Sequence, residues 1–478
     1  MNPAAEPSRT PLRLLAAPHE ALPPRTRLPF GWQAFPVTAD ADVILAPAPH
    51  TGRLRLTVAL EVWHRAVLAI GPPAQQEPWV RAVVDHSDVF EVLDVPLPED
   101  AVDAPLRLRL SSGSEPIWLL ADGASLPPEF QPHILVPDPG AAREARISSF
   151  YDRMRSLSSL QQFGWKEGCV LEGLLDLDER HHDGGFAAAA QAHLGQFLDH
   201  NGELRYEDPW GRPADGQVYG VEGALPFAAI QRLWPAHPSL ALLGSYLDSA
   251  RRSDGAVFDE GMVSTEGAYT IAYPLVLLAI ARGDWAAVED ALAQLRIRCR
   301  ELVDGDTVYL RSYHDGRRTY PNWIRAHTWL LLGLTRTLQL LPRGAAPDLA
   351  AELERIADLV AVHQQPDGLW RCYLDDPATG VETSGSAGIA AALARGANAG
   401  LLGEGSKSVA ERAWWGLLGH LTADGMLAGA SQANKDGDRL QRADYRILSQ
   451  MGMGLLAQLA AALDIALPWD TGATSQKG

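Results

Sequence analysis

Asp367-Gly368-Leu369-Trp370 puts a glycine after an acid in a tight turn and follows it at once with two large apolar residues. The same device stands at Asn201-Gly202-Glu203-Leu204, Asp254-Gly255-Ala256-Val257-Phe258, Asp304-Gly305 and Asp424-Gly425-Met426-Leu427. Successive glycines lie 50 to 63 residues apart, a spacing that signals stacked supersecondary units. Between the turns, residues 187–198, 238–251, 269–281, 286–302, 324–341, 347–363, 386–398, 408–421 and 446–463 carry apolar side chains at helical spacing. Paired helices over 141–465 make six hairpins, with short turns at one end and longer loops at the other. The expected fold is mainly α, an (α/α)6 toroid with a central cavity. Its inner helices should be small or apolar almost all round, with polar residues near one end only.

Outward from the helical region the texture changes. Stretches 53–62, 79–84 and 106–110 alternate apolar and polar residues, with Pro and Gly between them. Short strands at that spacing indicate an antiparallel β-sandwich. The expected map is a flexible Pro-rich lead over 1–27, the sandwich over 28–135, the barrel over 141–465 and a flexible tail over 466–478. Trp63, Trp79 and Trp118 sit in strand-like alternation and read as sandwich core.

The formal net charge of -18 argues against nucleic acid or an anionic membrane as partner, since both need a basic surface. A few arginines in a pocket can still hold one carboxylate. Cys169, Cys299 and Cys372 are far apart and form no Cys-x-x-Cys pattern, which points to reduced thiols in a helical core. The first 24 residues make a poor signal peptide and no membrane anchor, so the expected location is cytoplasmic. No metal site or organic cofactor is implied; His181-His182-Asp183-Gly184 reads as a surface turn.

Two segments place a glutamate among small and apolar residues at a helix start. They are Val221-Glu222-Gly223-Ala224 and Thr265-Glu266-Gly267-Ala268, at the same phase of consecutive hairpins. Paired carboxyl groups serve glycosidic chemistry, one protonating while the other activates water or attacks. The alternative is that each caps its helix or pairs with an arginine. A third segment joins His314 to Trp323, Arg325 and Trp329. Indoles cover the apolar C–H faces of a sugar, while a guanidinium forks onto a carboxylate. Trp165 and Lys166 open the first barrel helix and could reach the cavity mouth, and Tyr219 lies beside Glu222. Thr383-Ser384-Gly385-Ser386 reads as a helix cap.

With these residues in view, the chain over roughly 145–465 resembles the unsaturated glucuronyl and rhamnogalacturonyl hydrolases, glycoside hydrolase families 88 and 105. The likeness rests on Gly164-Trp165-Lys166-Glu167-Gly168, Glu266-Gly267-Ala268-Tyr269, Trp323-x-Arg325-x-x-x-Trp329, Gln364-x-x-Asp367-Gly368-Leu369-Trp370 and Glu382-Thr383-Ser384-Gly385-Ser386-Ala387. It implies an (α/α)6 barrel with Glu266 at the position of a catalytic aspartate and Glu222 at that of a second. His314 matches a substrate-binding histidine, and Trp323, Arg325 and Trp329 match residues lining the sugar site. Both aspartates read as glutamate here, which moves each carboxyl group outward by one methylene. The implied activity is exo-acting removal of a terminal, 4,5-unsaturated uronyl residue from an oligosaccharide. Two longer carboxylates could instead suit a saturated uronide, as in the related family 154 β-glucuronidases. A sugar epimerase, a polysaccharide lyase using Tyr313 or His314 as base, and a non-catalytic glycan-binding protein are the competing readings.

Overall fold

The computed structural model describes residues 8–47, 52–101, 103–124, 126–136, 142–258 and 261–469. Its helices run α1 Arg143–Met154, α2 Trp165–His181, α3 Gly185–Phe197, α4 Pro226–Leu233, α5 Leu240–Ser249, α6 Tyr273–Arg282 and α7 Trp285–Leu302. They continue with α8 Ile324–Leu338, α9 Pro347–Val362, α10 Thr383–Asn398, α11 Glu404–Leu418, α12 Gly437–Arg442 and α13 Gln450–Ala462. Helices α2, α4, α6, α8, α10 and α13 each pack on the next, and α13 returns to α2. The circuit is therefore closed. Helices α3, α5, α7, α9 and α11 pack against α2, α4, α6, α8 and α10, and α1 touches α13.

The five repeated glycines all have positive φ, from 56° to 89°. Each follows one of the helices α3, α5, α7, α9 and α11 and opens the long loop leading to the next helix of the circuit. At Gly425 the choice is fixed twice over, because a Cβ there would come within 2.3 Å of the Phe150 backbone nitrogen. The reverse connections are short, as at His182–Gly184 and Gly283–Asp284. All six helices of the circuit thus run the same way, with their N-termini and the long loops at one end.

Helices α8, α10 and α13 are buried along almost their whole length. The expectation that polar groups gather at one end only is overturned. At the opposite end, Glu172 and Asp176 of α2 meet Arg232, Arg336 and Arg395 from α4, α8 and α10. Tyr273 donates to Glu172 at 2.7 Å. This paired cluster fills the far end of the ring, where charges are tolerated because each has a partner.

Besides a two-stranded antiparallel pair, Ala34–Val37 with Ile117–Leu120, the β part holds two larger antiparallel sheets facing one apolar core. One runs in the order Ser8–Pro11, His133–Val136, Arg53–Thr57, Val92–Pro96. The other runs Leu14–Ala16, Val43–Leu45, Leu106–Ser112, Arg65–Gly71, Val80–Asp85. Leu54, Leu56, Leu68, Ile70, Leu108 and Ile134 meet between them. Two of these strands, Ser8–Pro11 and Leu14–Ala16, fall within the stretch expected as a flexible lead. Of the expected tail, residues 470–478 lie outside the described residues, while Trp469 stacks on Phe186.

The β part does not stand alone. Trp32, Leu60, Phe90, Trp118 and Phe130 belong to the same buried cluster as the helices. Arg55 of the sheet and Arg153 of α1 both pair with the buried Asp424 of the fifth turn. Burial alone would raise the Asp424 carboxyl, but the two guanidinium groups hold it well below the usual range. Among the described residues, no helix is long and apolar enough to cross a membrane.

Candidate active site

Glu266 stands just after the short strand Met262–Ser264 and just before a π-helical turn, Ala268–Ala272, that runs into α6. Such turns displace backbone locally and are frequent at functional sites. The carboxyl group is buried. Burial raises its pKa, while the Arg311 and Arg325 charges and the Ser264 hydroxyl hold the shift back. Glu222 lies in a 3-10 turn, Val221–Ala224, ahead of α4, with the Tyr219 hydroxyl 3.5 Å from its Oε2. The Arg311 charge is felt by both glutamates. Burial lowers the Arg311 pKa, but Glu266, Tyr320, Tyr313 and Glu222 overcome that and raise it.

Arg311 was not among the residues singled out from sequence. It sits on strand Thr307–Tyr313, which pairs with Met262–Ser264 on one side and Arg318–Pro321 on the other. Register places Arg311 opposite Ser264, two residues before Glu266. The alternation Val308-Tyr309-Leu310-Arg311 carried the strand signal, but the stretch reads as one more loop between helices. That expectation is corrected here: the Asp304-Gly305 turn joins two strands, not two helices.

The aromatic wall forms as a chain of contacts. The Arg325 guanidinium lies 4.5 Å from the centroid of Trp323 and 6.0 Å from that of Trp165. Trp165 meets Trp329 edge-on at 5.4 Å, and Trp329 stacks on Tyr269. Arg325 donates to the backbone carbonyls of Ser431 and Gln432, so two of its donors serve the loop before α13. Trp323 is fully buried and donates to Gln441, as a structural anchor would. His314 stands on the exposed turn of the 307–321 hairpin, its Nδ1 3.4 Å from the Gly261 carbonyl. Thr383 opens α10, and Glu382 caps it by accepting from the Ser384 and Gly385 amides.

A cavity of about 310 Å³ opens beside Glu222 and Arg311, and Glu266, His314, Trp323, Arg325 and Trp329 are not among the residues that line it. Trp165, Lys166, Tyr219, Glu222 and Arg311 line it from the helical part. Glu61 and Trp63 line it from the β part, with Trp210 and Lys435 from two loops. Trp63 is therefore not sandwich core as expected; it is 43% exposed and stacks on Trp210. Trp118 is buried, and Trp79 packs against the sandwich core. Lys166 pairs with Asp88 of the β part at 2.7 Å, and Lys435 pairs with Asp88 and Glu61. Burial raises Glu61 to about 7 against the pull of Lys435 and Lys166. Among the described residues, no cluster of three or more His, Cys, Asp or Glu is arranged to hold a metal ion.

Residues 275–464 match the model of Glycosyl Hydrolase Family 88. Over that stretch the chain is similar to the family 88 glycoside hydrolases. The matched stretch contains Arg311, Trp323, Arg325 and Trp329 and begins after Glu222 and Glu266. No curated protein sequence matches the chain. Among solved structures, a possible family 105 member from Klebsiella pneumoniae is 18% identical, with a TM-score of 0.57 over 72% of this chain and 97% of its own. A family 105 glycoside hydrolase from C. acetobutylicum is 17% identical, with a TM-score of 0.59 over 68% and 99%. The unsaturated glucuronyl hydrolase of Bacillus sp. GL1, responsible for glycosaminoglycan degradation, is 17% identical, with a TM-score of 0.50 over 68% and 94%. These likenesses show a shared fold.

Proposed function

We propose that the protein is an exo-acting hydrolase that removes a terminal 4,5-unsaturated uronyl residue from an oligosaccharide, with Glu266 as the general acid. The circuit of six helices is read as an (α/α)6 toroid over about 141–465, with the β part over 28–135 as a second domain. Cys169, Cys299 and Cys372 are free thiols, which suits a cytoplasmic location.

The observation that carries the reading is the burial of Glu266 beside Arg311 and Arg325, with Glu222 acting on the same Arg311. Burial favours the protonated carboxyl group needed to give a proton to a vinyl ether carbon. Water, oriented by Glu222, then adds to the neighbouring carbon and gives its proton to the Glu266 carboxylate, and the hemiketal formed opens to release the remaining sugar. The uronate carboxylate is assigned to Arg311, which lines the cavity and whose Nε has no hydrogen-bond partner among the described residues. The converging N-termini of α2, α4, α8, α10 and α13 add positive potential at that end, which favours an anion.

The test is a pair of substrates. Loss of the unsaturated uronate absorbance on incubation with an unsaturated disaccharide supports the proposal. Release of aglycone from a saturated aryl glucuronide alone would favour the β-glucuronidase reading. Tight sugar binding without turnover of either would favour a glycan-binding protein.

A further inference from the structure

The cavity that holds Glu222 and Arg311 has a mouth built from two other parts of the chain. Trp63 comes from the β part and Trp210 from the loop between α3 and α4. Their rings are parallel within 7°, with centroids 6.0 Å apart. Both are large apolar side chains left nearly half exposed, at 43% and 45%. Exposed indoles in water cost free energy, and two stacked at the lip of a polar cavity mark a surface built to be covered. The other strongly exposed tryptophans, Trp285 and Trp415, lie on α7 and α11, away from the residues lining the cavity.

A cation lies against each ring of the stack. The Lys435 ammonium lies 4.9 Å from the Trp63 centroid, and the Arg212 guanidinium 4.7 Å from that of Trp210. Each cation is already committed, Lys435 to Glu61 and Asp88, and Arg212 to Asp208. Neither leaves an unpaired positive charge at the mouth for a sulfate. What the mouth offers is apolar aromatic surface, which suits the C–H face of an uncharged pyranose ring.

We infer that Trp63 and Trp210 form a second subsite, which takes the uncharged, unsulfated sugar on the leaving-group side of the scissile bond. The β part then contributes to specificity, and the preferred substrate is a disaccharide or longer. The inference rests on the reading of the inner cavity as a uronate site.

The test measures binding and turnover on the full chain. Calorimetry on the Glu266→Gln variant compares an unsulfated, uronyl-terminated N-acetylhexosamine disaccharide with the free uronic acid. The disaccharide should bind about tenfold tighter, as one stacked ring would provide. Trp63→Ala and Trp210→Ala, each in that background, should lose most of this gain, while Trp63→Phe keeps most of it. In the active enzyme the same alanine variants should lower about tenfold the kcat/KM preference for the disaccharide over the methyl uronide. Should Trp63→Ala fail to fold, Trp210→Ala on its exposed loop carries the test. An unchanged disaccharide gain in folded alanine variants would overturn the subsite, even with hydrolysis intact. A tryptophan-dependent gain in a chain that hydrolyses no uronide would uphold the subsite and overturn the proposed activity. A sulfated disaccharide bound more tightly than the plain one would overturn the assignment to an uncharged sugar.

Discussion

Lys166, the second residue of α2, holds its Nζ 2.7 Å from Oδ1 of Asp88 in the β part. Asp88 also receives Lys435, so one buried carboxylate ties the first barrel helix and the last long loop to the sandwich. Burial works against the charge on Asp88, and the two ammonium groups reverse that and hold it ionised far below the usual range. Asp88→Ala would leave two buried cations sharing Glu61. The expected outcome is a loss of about 3–5 kcal/mol in urea-induced unfolding, as for other broken buried pairs. A loss below about 1 kcal/mol would show that this contact is not a joint between the two parts.

Glu266→Gln keeps the size of the side chain and removes its proton. Turnover of the unsaturated disaccharide should fall by roughly 10²–10⁴, with KM little changed and the circular dichroism spectrum preserved. Glu222→Gln should also lower kcat. Near wild-type kcat in the Glu266 variant would remove that residue from the mechanism.

Arg311 favours the ionised form of Glu266, so removing it should let burial raise the Glu266 pKa further. A general acid is active while protonated. In Arg311→Met the alkaline limb of kcat should therefore move to higher pH, and KM for the uronide should rise by about tenfold or more through loss of the carboxylate contact. A limb that stays in place would mean that another group sets it.

Glu91 gives a stability prediction. Burial raises its carboxyl from 4.5 to about 7, aided by the Asp88 charge and opposed by hydrogen bonds from Gln432, Ser87 and the Asp88 amide. The folded state therefore binds this proton more tightly than the unfolded state. That contribution is complete below about 4.5 and is lost as pH rises through about 7. Glu91→Gln cannot ionise. Relative to the parent, its Tm should gain at pH 8, by about 2–4 °C for each kcal/mol recovered, and the advantage should vanish at pH 4. Glu61 titrates in the same window, so some of the slope should survive.

Much of this architecture was legible in the chain itself. The five Asp/Asn-Gly turns require positive φ, and periodic apolar residues between them require helices, so repeat and hairpin order follow from local chemistry. The place of Glu222 and Glu266 ahead of their helices was legible too, because each stands among small and apolar residues at a helix start. The 307–321 hairpin was not, since its alternation is short and lies between strong helices. Arg311 was lost with it. Trp63 was misread because alternation says which residues share a face and says nothing of what that face meets.

The sequence by itself determined the helices, their turns, the main sandwich strands and the place of two acids at helix starts, all of which depend on neighbours within a few residues. The tertiary structure decided that the Arg311 charge acts on both acids, that Lys166 and Lys435 answer to Asp88, and that Trp63 leaves the sandwich core for the cavity. Those relations join residues tens to hundreds of positions apart. Ion pairing, burial and their effects on acidity depend on distance in space, which no local pattern encodes.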